Sequence, residues 1–216
     1  MELNKKYSVL LMDAANTVIH KPSFWPSFQQ VLAKRNLQID VRELKAKHKL
    51  LSEIIEFPDK TSAKFYANFN SELLLSLGII PDENLIEDIF KSCSYLAWES
   101  FEDTFSLNQL PIKKVILSNF NITIEEKIVS IFGDLFDRVI GSEKEGLRKP
   151  SVHFYKKALE MLQVLPEKVL YVGDSLKLDV IPAQKAGMDV LLIDREGNYP
   201  NFEHRIVSLK QLETMI

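Results

Sequence analysis

Val9-Leu10-Leu11-Met12-Asp13-Ala14-Ala15-Asn16-Thr17, near the N-terminus, sets the pattern of the fold. Four consecutive apolar residues end on a carboxylate. A continuous apolar run, rather than an alternating one, marks a strand covered on both faces, as in a parallel sheet. The design returns far downstream, where Val169-Leu170-Tyr171-Val172 runs into Gly173-Asp174-Ser175, with Asp179 behind it. Further apolar runs with strand character lie at 115–117, 138–140 and 190–193. Helical patterns separate these later strands. Asn121 is placed to cap a helix over 124–132 that stops at Gly133. Ser151 precedes one over 153–162 that stops before Pro166, and a third over 179–185 stops at Gly187. Strand alternating with helix predicts a three-layered α/β core with a doubly wound, Rossmann-like parallel sheet. Ligands bind such sheets at the carboxyl ends of the strands, where Asp13 and Asp174 stand.

The first strand breaks the rhythm. Between about His20 and Asp103 the periodicity is helical, with no good strand. Segments 25–35, 41–56, 62–77 and 84–100 read as four amphipathic helices, punctuated by Pro22, Pro58 and Pro81. The organisation expected is an α/β core at 1–19 and 104–216 with a helical insert at 20–103. The insert leaves and returns on the side of the sheet where Asp13 lies.

Composition limits the partners. The chain has 216 residues, 46% of them apolar, enough for a substantial core. The net charge of −3 comes with dispersed Lys and Arg, which disfavours a nucleic-acid surface. The single Cys93 suits a reducing compartment and reads as a small core residue. The apolar run after Lys5 and Lys6 is cut by Asp13, too soon for a leader core or a membrane span. The expectation is a soluble, cytoplasmic protein without membrane or nucleic-acid partners. Its oligomeric state is left open.

The candidate site residues suit phosphoryl transfer. A carboxylate nucleophile facing a phosphate needs a cation beside it, and a second carboxylate can hold Mg²⁺. Asp13 and Asp174 fit these two roles. Ser118, ending Lys114-Val115-Ile116-Leu117, can donate to a phosphoryl oxygen, and Lys149, in Arg148-Lys149-Pro150, can neutralise further charge. Plainer roles exist for each. The aspartates and Ser118 can cap helices, Lys149 can be a solvated loop lysine, and Asp179 can be a helix-start residue.

Taken in order, these residues resemble the motifs of the haloacid dehalogenase superfamily. The first motif matches at Asp13 and Thr17, the second at Ser118, the third at Lys149, and the fourth at Asp174 with Asp179. The helical insert is similar to the cap many members carry after the first motif. The resemblance implies a hydrolase, phosphatase-type, acting on a small phosphorylated molecule. Asp13 would become an aspartyl-phosphate and would ligate Mg²⁺ with Asp174 and the main-chain carbonyl of Ala15. Asp179 would act from behind or through water. Thr17 and Asn119 would join Ser118 and Lys149 in holding the phosphate and its loop. Closure of the cap would exclude water and choose the substrate, with hinges near His20–Pro22 and at 101–105.

The first motif here reads Asp-Ala-Ala-Asn-Thr, and it departs from the family twice. The family's phosphatases place an acid two residues after the nucleophile, a contribution worth about 10²–10⁴-fold. Ala15 cannot supply it. Asn16 stands where the family usually has Gly, though Asn tolerates left-handed backbone. A eukaryotic subgroup with Asp-Ala-x-Gly-Thr also lacks the acid. Three alternatives to a phosphatase follow. One is a phosphonatase-like hydrolase using Lys45, Lys47 or Lys49 as a Schiff base. Another is a dehalogenase, which the pair Asp174 and Asp179 disfavours. The third is a silent module that binds a phosphorylated ligand. His20 could supply the missing proton, but a hinge histidine is the plainer reading. Trp25 and Phe28 read as packing residues, and Lys45-Ala46-Lys47-His48-Lys49 as a solvated helix face.

Overall fold

The computed structural model describes residues 6–216. Residues 1–5, which open the N-terminal stretch read above for a leader or membrane span, lie outside the described residues. In chain order the strands are β1 (Val9–Met12), β2 (Ile19–His20), β3 (Glu99–Ser100), β4 (Lys113–Ser118), β5 (Arg138–Gly141), β6 (Val169–Gly173), β7 (Asp189–Ile193) and β8 (Arg205–Ile206). Six of them form one sheet in the order β5-β4-β1-β6-β7-β8. Each neighbouring pair is parallel. Counted within this sheet alone, the order is 3-2-1-4-5-6, that of the doubly wound dinucleotide-binding fold. The order reverses at β1, so the crevice of the sheet opens at the carboxyl end of β1, where Asp13 follows Met12.

The strands form where the sequence is apolar on both faces. Val9–Met12 and Val169–Gly173 are buried throughout. They feed a core with Val115, Leu117, Ile140, Phe154, Tyr155 and Leu192. The helices are α1 (Phe24–Ala33), α2 (Val41–Ile54), α3 (Ala63–Ser76), α4 (Glu83–Cys93), α5 (Ile124–Phe132), α6 (Ser142–Glu145), α7 (Val152–Leu162) and α8 (Ile181–Lys185). Contacts divide the chain into two compact units. One holds the residues up to His20 together with Ser100–Ile216, and the other is Lys21–Glu99. No helix among the described residues is long and apolar enough to cross a membrane.

In the second unit, α1–α4 bury Phe28, Leu32, Leu44, Phe69, Leu73 and Ile89. Three of its helices begin at side-chain caps. Asp40 accepts from Arg42 N–H, Ser62 from Phe65 N–H, and Asp82 from Leu85 N–H. Each cap contributes about 1 kcal/mol.

Several local expectations change. The fourth helix stops at Cys93 rather than near 100, and Tyr95 then turns left-handed at φ 57. The chain resumes as β3, which pairs with β2 in a two-stranded ribbon. Strands of two residues are too short for any pattern to register. Asn121 does not cap α5, whose N-cap residue is Thr123. Its Oδ1 instead accepts from the Thr123 N–H and hydroxyl, an Asx turn one step earlier. The helix expected over 179–185 is a single π-turn, Leu176–Val180, followed by the short α8.

Candidate active site

Register brings the strand ends to one level. Met12 lies opposite Ile116 on β4 and Val172 on β6, and Asp13 N–H donates to the Val172 carbonyl at 2.9 Å. Ser118 closes β4, and Asp174 follows Gly173 at the end of β6. Asp13, Asp174 and Asp179 thereby each offer a carboxylate oxygen within 4.8 Å of the others. The Ser118 hydroxyl reaches Asp13 Oδ1 at 3.4 Å. It sits in the strand and caps no helix, since α5 starts at Ile124.

Lys149 is the centre of the charge network. Its side chain is 2% exposed, and Nζ lies 2.7 Å from both Asp13 Oδ1 and Asp179 Oδ1. Burial alone would depress its ammonium, but Asp13 and Asp179 outweigh that and hold it above its ordinary value. Lys149 is therefore a buried, paired cation and not a solvated loop lysine. Asn119 holds its backbone from both ends of one amide, donating to the Lys149 carbonyl at 2.9 Å and accepting from its N–H at 2.8 Å.

Asp13 and Asp179 differ in how many partners they have. Asp179 Oδ1 accepts from Lys149 and from the Tyr171 hydroxyl at 2.7 Å, while Oδ2 accepts from Ser175 N–H at 3.0 Å. Both oxygens are engaged. Burial raises the pKa of Asp13 above the usual carboxylate range, with Lys149 pulling the opposite way and the neighbouring carboxylates adding to the rise. Sequence reasoning missed Tyr171, which had counted only as a strand residue. It also missed why residue 173 is glycine. A Cβ there would lie 2.3 Å from Asp179 Cγ, so only glycine lets the carboxylate fold back against the strand.

The loop after Asp13 is a tight turn. Val18 and Ile19 N–H both donate to the Ala14 carbonyl, and Asn16 N–H to that of Ile19. Asn16 adopts φ 60, a left-handed conformation that Asn accommodates better than most residues. Thr17 is fully buried, and its Oγ1 has no hydrogen-bond partner among the described residues. Ala15 carries only a methyl group at the position of the expected acid.

Other residues singled out above take ordinary places. The His20 ring stacks on Phe101 at 4.0 Å. Phe28 is core, and Trp25 packs edge-on to Phe24 and His48. The stretch 45–49 is not a uniformly solvated face. His48 inserts among Phe24, Trp25 and Phe69, and Lys49 pairs with Glu53 at 3.1 Å. Cys93 packs against the helical core, where burial pushes its thiol up to about 11.

A doubly wound sheet with three carboxylates and a buried lysine at its switch point defines an α/β enzyme. The profile of the haloacid dehalogenase-like hydrolase family matches residues 7–187, and the chain belongs to that family. It is 27% identical over 174 residues to glyceraldehyde 3-phosphate phosphatase of Methanothermobacter thermautotrophicus, covering 73% of this chain and 72% of the relative. It is 33% identical over 109 residues to the protein of that name from Methanocaldococcus jannaschii, covering 47% of each. It is 32% identical over 114 residues to haloacid dehalogenase-like hydrolase domain-containing protein 3 of Xenopus laevis, covering 50% of this chain and 46% of the relative. The chain thus spans about half the length of the latter two. Among solved structures, a HAD-hydrolase of Bacillus subtilis bound to magnesium superposes with TM-score 0.67 at 20% identity, covering 98% of this chain and 99% of that one. L-2-haloacid dehalogenase from Xanthobacter autotrophicus gives 0.63 at 21%, covering 97% and 98%. At these identities the likeness establishes the fold.

Proposed function

We propose that this chain is a Mg²⁺-dependent, phosphatase-type hydrolase that acts on a small phosphorylated metabolite through an aspartyl-phosphate on Asp13. The observation that carries this reading is the meeting of Asp13 with a buried lysine and two further carboxylates at one strand end. The donors are all oxygen and lie close together, which suits a hard cation. Asp13, Asp174 and the Ala15 carbonyl would hold it. Asp179, with both oxygens engaged, would contribute from behind or through water. Bound there, Mg²⁺ would offset the negative charge gathered between the phosphoryl oxygens and the carboxylates.

In this reading Asp13 attacks phosphorus, forming a P–O bond as the ester oxygen leaves. The Lys149 ammonium, fixed by Asp179 and by the Asn119 clamp on its backbone, stabilises the charge on the transferring group. Ser118, and Thr17 through its unpartnered hydroxyl, are the neutral donors. Water then cleaves the acyl phosphate and restores Asp13. Ala15 gives the leaving oxygen no proton, so substrates with good leaving groups turn over best. Relatives named for glyceraldehyde 3-phosphate make short phosphorylated aldehydes the first metabolites to test.

Ala15 favours a second reading, a weak or silent phospho-ligand-binding module. A phosphonatase-like role has less support, because Lys49 is already paired with Glu53. A panel of phosphate esters and acyl phosphates, with and without Mg²⁺, separates these. We expect chelator-sensitive phosphate release that Asp13→Asn reduces by about 10⁴-fold or more. Release that persists in Asp13→Asn overturns the nucleophile. Phosphorylated protein that accumulates without release favours the silent module. Ala15→Asp should raise turnover on alkyl phosphates by up to about 10²–10⁴-fold.

A further inference from the structure

Arg195, just past β7, was given no role by the motif reading. Its Nη1 donates to Asp103 Oδ2 at 2.8 Å, and its Nη2 to Asp103 Oδ1 at 3.0 Å. The same Nη2 donates to the Thr17 carbonyl at 2.9 Å. The guanidinium lies 3.8 Å over the Phe101 ring. Asp103 is fixed in turn by the Ser208 hydroxyl at 2.7 Å and by Leu209 N–H at 2.9 Å. Two further bonds reach the same loop, from Thr104 Oγ1 and Phe101 N–H to the Val18 carbonyl. All of these residues belong to the unit that carries Asp13.

We infer that Arg195, braced by Asp103, is a positioning residue that fixes the Asp13–Val18 loop for catalysis. The loop needs such a brace. Its turn passes through left-handed Asn16, a conformation that persists only where the surroundings over-determine it. The Thr17 carbonyl follows that strained residue directly. A buried ion pair is weak evidence for stability, because desolvation offsets the attraction. Here Arg195 Nε is buried with no hydrogen-bond partner among the described residues, so the pair is not arranged for maximal hydrogen bonding. What it does supply is direction. A planar fork held by a bidentate carboxylate and an aromatic face aims the second Nη2 N–H at one carbonyl. Lysine cannot make the fork and the third bond together. Two segments far apart in the chain, at 101–104 and 195, therefore converge on the loop that carries Asp13 and Ala15, and a third, at 208–209, braces Asp103 behind them. The catalytic meaning rests on the reading of Asp13 as nucleophile, whereas the effect on the loop does not.

Hydrogen–deuterium exchange of the peptide covering 13–19, together with p-nitrophenyl phosphate kinetics, tests this in wild type, Arg195→Ala and Arg195→Lys. Loop amides should exchange about tenfold faster or more in both variants, while the β6 peptide keeps its protection. In Arg195→Ala, kcat should fall about ten- to a hundredfold with KM nearly unchanged, as misplacement of a reacting group predicts. Millimolar guanidinium should restore part of the rate. Wild-type loop exchange in a folded variant overturns the inference, as does a rate that guanidinium leaves unmoved. If Arg195→Ala does not fold, Arg195→Lys is judged by the same exchange criterion. A wild type without turnover defeats the proposed activity, and loop exchange alone then decides the positioning role.

Discussion

Lys149 and His48 are both basic side chains drawn inward, and the two units treat them in opposite ways. In the unit with the parallel sheet, two carboxylates at 2.7 Å keep Lys149 charged despite its burial. In the helical unit, Phe24, Trp25 and Phe69 surround His48, and burial, with the charge of Lys49 adding to it, lowers it to about 4. Removing a group from water disfavours its charged form unless opposite charges compensate. The first unit assembles such charges at a strand end, and the second assembles rings. Preorganised charge is what the proposed phosphoryl chemistry would use, and it is the sheet end that supplies it.

The largest effect should come from breaking the charged side of this contrast. Asp179→Asn removes one of the two charges that hold Lys149. Truncating one partner of a buried pair costs about 3–5 kcal/mol, readable in urea unfolding. Turnover should also drop about 10–100-fold, as when a supporting ligand is lost. Retention of full stability and rate would mean that Asp13 alone suffices to hold Lys149. Gly173→Ala should follow, at about 1–3 kcal/mol, because the added methyl meets Asp179 Cγ at 2.3 Å. A crystal structure of Gly173→Ala with Asp179 unmoved would contradict this account.

The smallest effect concerns His48. Its folded value of about 4 lies below the ordinary 6.5. The unfolded chain therefore takes up a proton before the folded one does as pH falls. The contribution of the neutral ring is complete above about pH 6.5 and is lost as pH falls toward 4. The full difference amounts to about 2 kcal/mol after allowing for partial exposure. His48→Phe should flatten that slope in unfolding curves measured between pH 4 and 7. An unchanged slope would show that His48 is protonated in place.

Five of the six strands of the main sheet were legible because each is a short apolar run with its own local punctuation, whereas β8, only Arg205–Ile206, is too short to leave a pattern. The four helices of the insert were legible because amphipathic periodicity is also local, although their ends shifted where caps and left-handed residues intervened, as at Cys93 and Tyr95. Asp13, Ser118, Lys149, Asp174 and Asp179 stood out because each closes a strand or opens a turn. Tyr171 was hidden inside an apolar run, and Arg195 in a loop with no pattern.

Read without its fold, the sequence establishes that carboxylates terminate parallel-type strands and that Ala15, two residues after Asp13, carries only a methyl group. Those are properties of neighbouring residues. Only the tertiary structure decided that Lys149, 136 residues from Asp13, bridges it to Asp179. It also decided that Tyr171 and Ser175 occupy Asp179's remaining capacity, and that Arg195 reaches the Thr17 carbonyl across 178 residues. Such contacts are made by side chains meeting across strand order, and strand order follows from how the sheet is wound, which leaves no periodic trace along the chain.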